Sequence, residues 1–272
     1  MNIKLVAIDL DGTLLGGDLK ISPRAKEAIK RSMDEGVQVT LATGRMYRSA
    51  LPYAKELGVQ VPLITYQGGL VKMSSSGQVL YHKELSLNYA QEVIGMARKF
   101  GFHINAYLDD NLFVEEDTHL SRDYGRKTGV KIHLVDDLLE FLPDNPVKIL
   151  LIGAEEQLDI MQEQCRNHFN NRVYITKSKH HFLEFTHPEA TKGHGLRAVA
   201  QWMNVSTNEI MGIGDSYNDL EMFRSVGLSI VMGNARDEVK AAADYITGSC
   251  DDDGVAEALE RFVLADKAVP SG

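Results

Sequence analysis

Residues 4–14 read Lys4-Leu5-Val6-Ala7-Ile8-Asp9-Leu10-Asp11-Gly12-Thr13-Leu14. Residues 4–10 are mostly apolar and rich in branched side chains, the composition of a short strand buried on both faces in a parallel sheet. Turn chemistry follows at Gly12, Gly16 and Gly17. Ligands of open parallel sheets bind beyond the carboxyl ends of the strands, so Asp9 and Asp11 stand where chemistry is expected. Two residues apart in extended chain, they project to the same side. Carboxylates that close repel unless a proton or cation intervenes. With a hard cation present, one can bind it and attack phosphorus while the other carries a proton to and from the leaving oxygen. An isolated Asp-x-Asp-Gly could equally be a pair of turn-forming aspartates.

Outward from this strand the chain is regular. Ser22 suits a helix cap, Pro23 the first helical position and Gly36 the stop, which predicts a helix between them with Ala25, Ala28, Ile29 and Met33 inward. A strand over 37–42, a helix over 45–57 and a strand over 61–66 follow, then a hairpin over 71–82. Strands alternating with helices imply βαβ units and a parallel sheet. From 84 to 187 the pattern changes to a smaller α+β module, with strands over 102–108, 112–115, 147–153, 173–177 and 181–186 and a helix over 155–169. After Pro188 the first pattern returns: helices over 193–203, 218–225, 235–243 and 255–264, and strands over 210–213, 228–231 and 245–247. The fold class expected is α/β, a doubly wound parallel-sheet (Rossmann-like) core made of residues 1–83 and 188–272, with an inserted α+β cap domain over 84–187. Residues 266–272 read as a frayed tail.

Other strand ends supply polar groups. Thr43-Gly44-Arg45 ends the second strand and opens a helix, which offers a hydroxyl, a close backbone approach and free amides to an anion. Taken alone, the same three residues could be an ordinary cap with a solvated arginine, and Arg45 could contact substrate or a cap carboxylate. Gly214-Asp215-Ser216-Tyr217-Asn218-Asp219 ends a later strand and is rich in oxygen, as magnesium prefers. Asp215 is the candidate direct ligand, and Asp219 would stand one layer behind it at a helix start. Lys192, where the chain returns from the central module, would neutralise charge on a transferring phosphoryl group if it lies near the aspartates.

The 272 residues suffice for two domains, and 44% apolar with 25% charged residues is ordinary for a globular protein. A net charge of −9 disfavours nucleic acid and anionic membranes as partners. It leaves room for a small anionic substrate, which reads only its local field. Cys165 and Cys250 form no motif and are expected to be buried, reduced thiols. No apolar run is long enough for a membrane span and the N-terminus has no signal-peptide layout, which together imply a cytoplasmic enzyme.

In their order and separation these four elements resemble the haloacid dehalogenase superfamily of phosphotransferases, and more narrowly its Cof-type sugar-phosphate phosphatases. The resemblance extends through Met232-Gly233-Asn234-Ala235, Ala243-Asp244 and Asp253-Gly254-Val255-Ala256. It implies a magnesium-dependent phosphatase of small phosphorylated metabolites, sugar phosphates first. Asp9 would be nucleophile and metal ligand, and Asp11 general acid/base and metal ligand through its main-chain carbonyl. Asp215 would be the third protein ligand to Mg2+. Leu10, Thr43, Gly44, Lys192 and Asn218 would bind the phosphate, with Arg45 nearby, and the cap would select the leaving group. The sequence departs from the family at Tyr66-Gln67-Gly68-Gly69, where such proteins usually carry Asn-Gly. Two rivals use the same Asp9: a phosphomutase or phosphotransferase, and a phosphoacceptor or ligand-sensing switch without turnover.

Other polar clusters carry no chemistry in this reading. His180 and His181 are assigned to surface or packing, Asp251-Asp252-Asp253 to a helix start and Asp109-Asp110-Asn111 to a hairpin turn. Tyr107, Phe113 and Phe185 are assigned to the cap's own packing.

Overall fold

The structure is a computed structural model and describes residues 2–265; the expected tail lies outside the described residues. Among the described residues fourteen strands follow one another: β1 (Leu5–Ile8), β2 (Gln38–Leu41), β3 (Leu63–Thr65), β4 (Leu70–Lys72), β5 (Val79–His82), β6 (His103–Leu108), β7 (Asn111–Val114), β8 (Ile132–Leu134), β9 (Lys148–Ile152), β10 (Tyr174–Lys179), β11 (Phe182–Thr186), β12 (Ile210–Gly214), β13 (Leu228–Val231) and β14 (Tyr245–Ile246). The α-helices are α1 (Pro23–Asp34), α2 (Tyr47–Leu57), α3 (Leu87–Phe100), α4 (His119–Thr128), α5 (Leu138–Phe141), α6 (Glu155–Phe169), α7 (Lys192–Met203), α8 (Leu220–Phe223), α9 (Asp237–Lys240) and α10 (Gly254–Leu259).

A five-stranded sheet has the order β14-β13-β12-β1-β2 and is parallel throughout. All four residues of β1 are buried, as its apolar sequence requires. Its register sets the site. Ile8 lies beside Leu41 of β2 and Ile213 of β12, so Asp9, Ala42-Thr43 and Gly214-Asp215 leave the sheet side by side. The α/β class with a parallel sheet is as the sequence implied. Helix α1 is built from its predicted signals: Ser22 Oγ accepts from the Ala25 N–H at 3.0 Å, Pro23 opens the helix, and Gly36 at φ +86° ends it.

A second, six-stranded sheet, β10-β11-β9-β6-β7-β8, comes wholly from residues 103–186. One of its faces carries Ile104, Ala106, Ile149, Leu151, Leu183 and Phe185 in a cluster with Val93 of α3 and Leu158 of α6. The other face is continuous with the parallel sheet: Tyr107, Leu150, Ile152 and Tyr124 share one apolar cluster with Leu14 and Met46. Phe185 therefore packs within the second sheet's own cluster, as read from the sequence, whereas Tyr107 packs in the cluster shared with the parallel sheet. Strands β3, β4 and β5 form a small antiparallel sheet at the junction.

Three predicted helices are shorter than their sequence signals. The helix expected over 45–57 starts at Tyr47. Arg45 is held out of it: its N–H donates to Thr43 Oγ1 at 3.1 Å, and its carbonyl accepts from the Tyr66 N–H at 2.9 Å. The one expected over 235–243 is the four-residue α9. The one over 218–225 opens as a 3-10 turn, where Ser216 and Asp219 satisfy each other's backbone N–H groups before α8 begins.

Candidate active site

Asp9 follows β1 and is 4% exposed. Lys192, the first residue of α7, is fully buried and donates from Nζ to Asp9 Oδ1 at 2.6 Å and to Asp219 Oδ1 at 2.7 Å. The other oxygen of Asp219 accepts the N–H groups of Asp215 and Ser216, each at 3.0 Å. Asp219 therefore spends both oxygens on orienting Lys192 and the loop after β12, the supporting position assigned to it from sequence. Burial pushes the Asp9 carboxyl up to about 7 against the pull of Lys192, and neighbouring Asp219 and Asp11 add to the rise. The Asp215 carboxyl is raised well above its ordinary range by burial and by the charges of Asp9 and Asp219.

Two carboxylates, one buried and one half-buried, with raised proton affinity lack positive charge, and this is the condition a divalent cation relieves. Oxygens of Asp9, Asp215 and Asp219 lie within 4.8 Å of one another. With Asp219 committed, Asp9 and Asp215 are the carboxylates able to hold magnesium, which favours carboxylates plus water and phosphate oxygens. Asp215 also accepts from Thr13 Oγ1 at 3.1 Å. Gly12 at φ +84° lets the main chain reach it: a Cβ there would lie 2.5 Å from Asp215 Oδ2.

Asp11 stands outside that carboxylate group. Its side chain is held by Arg45 through Nε–Oδ2 at 2.7 Å and Nη2–Oδ1 at 2.9 Å. Burial alone would raise its carboxyl; the Arg45 guanidinium overrides this and holds it below the usual range. The Arg45 fork is thus spent on a core carboxylate and, among the described residues, on none of the cap, while Arg45 lines the same cavity as Asp9. The Thr43-Gly44 site is likewise not a helix N-terminus, since α2 begins at Tyr47.

Leu10, Thr43, Gly44 and Asn218 nevertheless surround Asp9. Leu10 is buried, and its carbonyl accepts from the N–H groups of Thr13 and Leu15. Thr43, Gly44 and Asn218 line one cavity with Asp9 and Asp11. Gln67, the departure from the family pattern, is fully buried at φ +62° and accepts from Asn218 Nδ2 at 2.8 Å. Gln67 Nε2 and Asn218 Oδ1 are left without partners. Swapping both amides only exchanges their roles, so either way one amide N–H2 of the pair is left without a partner.

The second sheet roofs this cavity, whose volume is about 120 Å3. Lys148 reaches down from β9 and donates to the Gly44 carbonyl at 2.7 Å while pairing with Glu184 of β11 at 2.8 Å. Lys179 ends 3.7 Å from Asp11 Oδ1. His181, assigned to surface or packing from sequence, also lines the cavity, and burial holds its imidazole down to about 4. Sequence reading missed Lys148, Lys179 and Glu184. A charge inside each apolar strand, as in Lys148-Ile149-Leu150-Leu151 and Phe182-Leu183-Glu184-Phe185, was the available signal. Asp110, read as a hairpin residue, does sit in that turn at φ +56°, and it also accepts from Tyr66 Oη at 2.7 Å and the Arg48 N–H at 3.1 Å across the two sheets.

Residues 6–259 match the model of a family described as haloacid dehalogenase-like hydrolase. The chain is 30% identical to the HMP-PP phosphatase of Serratia proteamaculans, over 96% of this chain and 95% of that protein. It is also 30% identical to a 5-amino-6-(5-phospho-D-ribitylamino)uracil phosphatase of Bacillus subtilis, over 97% of each. Among solved structures, a haloacid dehalogenase-like hydrolase from Bacteroides thetaiotaomicron is similar with a TM-score of 0.84 at 29% identity, covering 95% of this chain and 99% of that one.

Proposed function

The chain belongs to the haloacid dehalogenase-like hydrolases, in their Cof-type branch, and is a phosphoric monoester hydrolase; we propose that it is a magnesium-dependent phosphatase of small phosphorylated metabolites that works through an aspartyl phosphate on Asp9. The observation that carries this reading is the buried Lys192–Asp9 pair at the end of β1, with Asp215 across from it and Asp11 at the same cavity.

This reading gives each residue a role. The substrate phosphate lies against Lys192, the amides after Asp9, and Thr43. An oxygen of Asp9 attacks phosphorus in line with the ester oxygen, the P–O bond to the alcohol breaks, and protonated Asp11 gives its proton to the departing oxygen. Asp11, now a carboxylate, takes a proton from water as that water attacks the aspartyl phosphate, which releases inorganic phosphate and restores both residues. Asp9, Asp215 and the Asp11 main-chain carbonyl would hold magnesium, which offsets the repulsion between the Asp9 carboxylate and the phosphate. Lys192 is positive throughout, because Asp219 and Asp9 hold its ammonium well above the ordinary range despite burial.

The relatives are named for HMP-PP and for 5-amino-6-(5-phospho-D-ribitylamino)uracil, which supports a phosphorylated metabolite broader than the sugar phosphates favoured from sequence. Both cysteines are free, in keeping with a reducing, cytoplasmic setting. Among the described residues no helix is long and apolar enough to cross a membrane. The test is phosphate release from a panel of phosphorylated metabolites, with and without magnesium, for wild type and Asp9→Asn. Steady magnesium-dependent release that the variant loses is expected. A stable phosphorylated Asp9, or transfer to a second sugar without phosphate release, would replace this reading with the switch or the phosphotransferase.

A further inference from the structure

Strand β9 carries one charge in an otherwise apolar run. In Lys148-Ile149-Leu150-Leu151-Ile152 the side chains alternate between two faces. Ile149 and Leu151 belong to the second sheet's own core, and Leu150 and Ile152 to the cluster shared with the parallel sheet. Lys148 stands on the face of Leu150 and Ile152 and is 1% exposed. Its Nζ meets Glu184 at 2.8 Å, the Tyr107 ring with its centre 4.7 Å away, and the Gly44 carbonyl at 2.7 Å. Glu184 is buried as well and is bonded by the Ser178 hydroxyl. A buried ion pair adds little net stability over an apolar pair of the same volume. Stability therefore gives no reason for a lysine at this point; the contact with Gly44 does.

Gly44 belongs to the loop that the phosphatase reading sets beside the phosphate. A peptide group is planar, and in its trans form the C=O and N–H point to opposite edges. In the Gly44–Arg45 peptide the carbonyl accepts from Lys148, and the N–H donates to Thr43 Oγ1 at 3.1 Å. One side chain of the cap and one of the core thus hold opposite edges of a single plane. A hydroxyl oxygen that accepts this N–H keeps its own proton to donate, and Thr43 lines the catalytic cavity with Asp9. Arg45, whose N–H is fixed in this way, is also the residue that grips Asp11. The rest of the loop is fastened from the core: the Thr43 N–H donates to the Ile64 carbonyl at 2.8 Å, and the Thr43 and Arg45 carbonyls accept from the N–H groups of Gln67 and Tyr66.

We infer that Lys148 is a positioning residue: from the cap it fixes the Gly44–Arg45 peptide, and through that peptide it aims the Thr43 hydroxyl at the bound phosphoryl group. This inference rests on the phosphatase reading and deepens it. Lys148 acts through the loop and not on the alcohol, so its effect is the same whichever alcohol leaves. The loop is complete only while the second sheet lies on the first, which ties turnover to a seated cap.

The test variant is Lys148→Met/Glu184→Met, which removes the pair and leaves no buried charge unpaired. It is compared with wild type on glucose 6-phosphate, glycerol 3-phosphate and para-nitrophenyl phosphate. The expected result is a fall in kcat/KM of about tenfold to a hundredfold, equal for the three esters within about threefold. In a Thr43→Val background the same change costs less than about threefold, because the group being aimed is gone. Orthovanadate, a phosphate-shaped anion with no alcohol to contact, is titrated with magnesium present by calorimetry, and its affinity falls about tenfold or more in the variant. If the double variant loses its native circular dichroism, Lys148→Gln is measured in its place. A folded variant with wild-type turnover, a loss that depends on the alcohol, or a full loss repeated in Thr43→Val overturns this inference and leaves the phosphatase reading standing. Wild type that binds orthovanadate with this dependence on Lys148 and Thr43, yet releases no phosphate, supports this inference and removes the phosphatase reading. Wild type that neither binds orthovanadate nor releases phosphate overturns both.

Discussion

Arg45 grips Asp11 with two parallel bonds, Nε to Oδ2 at 2.7 Å and Nη2 to Oδ1 at 2.9 Å, while its own guanidinium lies 5.3 Å from the centre of the Tyr53 ring. A bidentate charge-assisted pair keeps a carboxylate ionised. The proposed reaction asks Asp11 to arrive protonated at the leaving oxygen. Arg45 therefore sets how readily the general acid is loaded, and substrate has to compete with this pair.

Replacing Arg45 by Gln should raise the Asp11 proton affinity, because the guanidinium that holds it down is gone. The alkaline limb of the kcat profile then moves up with it. An unmoved limb would show that Asp11 is not the titrating acid. Stability should fall by about 3 kcal/mol at neutral pH, because a largely buried pair loses one partner. The folded-state Asp11 carboxyl is depressed, so its contribution to wild type is present above the unfolded value near 3.9. It is lost as pH falls through the lower folded value, and urea melts between about pH 5 and pH 3 should show that loss in wild type but not in the variant.

Lys192→Met leaves Asp9 and Asp219 buried beside each other without their cation. We expect a loss of about 3–5 kcal/mol in urea unfolding and a fall in kcat of about a thousandfold. Lys192→Arg should not rescue it, since a planar fork cannot place one nitrogen 2.6 Å from Asp9 and 2.7 Å from Asp219 inside a fully buried site. Near-normal turnover in the Arg variant would mean that the charge matters and its position does not.

Metal-free protein should be destabilised by its own carboxylates. Asp9 sits at about 7 in the folded chain against 3.8 for an unperturbed group. An acid raised on folding binds more protons in the native state, so stability falls as pH rises from about 4 to 7 and the full penalty is present above 7. Magnesium should raise Tm at pH 7.5. Asp215→Asn should raise the metal-free Tm and abolish the magnesium response. A magnesium shift that survives in Asp215→Asn would place the ion elsewhere.

Gly12→Ala tests the approach of the first loop to Asp215. The added Cβ meets Asp215 Oδ2 at 2.5 Å, from a residue at φ +84°. The expected cost is about 1–2 kcal/mol of stability. The magnesium concentration giving half-maximal activity should also rise by about tenfold. An unchanged magnesium requirement would mean that Asp215 can move aside freely.

Much of the fold was legible because it is encoded locally. A branched apolar run between polar turns makes β1, and Ser22, Pro23 and Gly36 bound α1 without help from the rest of the chain. The strand-end rule alone then puts Asp9, Thr43 and Asp215 at one edge of the sheet. Helix starts were less legible. Arg45 fits a helix by sequence, yet its main chain is pinned by Thr43 and Tyr66 instead. Such competition between local preference and a distant strand leaves no mark in a periodicity.

The sequence by itself determined which residues come together at the site: which strand carries the paired aspartates, which lysine and which later aspartate join them, and that a second module interrupts the first. These follow from residue type, spacing and order, which folding does not alter. Only the tertiary structure decided where the charges go. It gave Arg45 to Asp11, tied Gln67 to Asn218, and brought Lys148 of the second sheet to Gly44 of the first, 104 residues away. The physical reason is that a buried charge takes its nearest available partner in space. For Lys148, Glu184 and Phe182 that neighbourhood exists only once the two sheets have packed together.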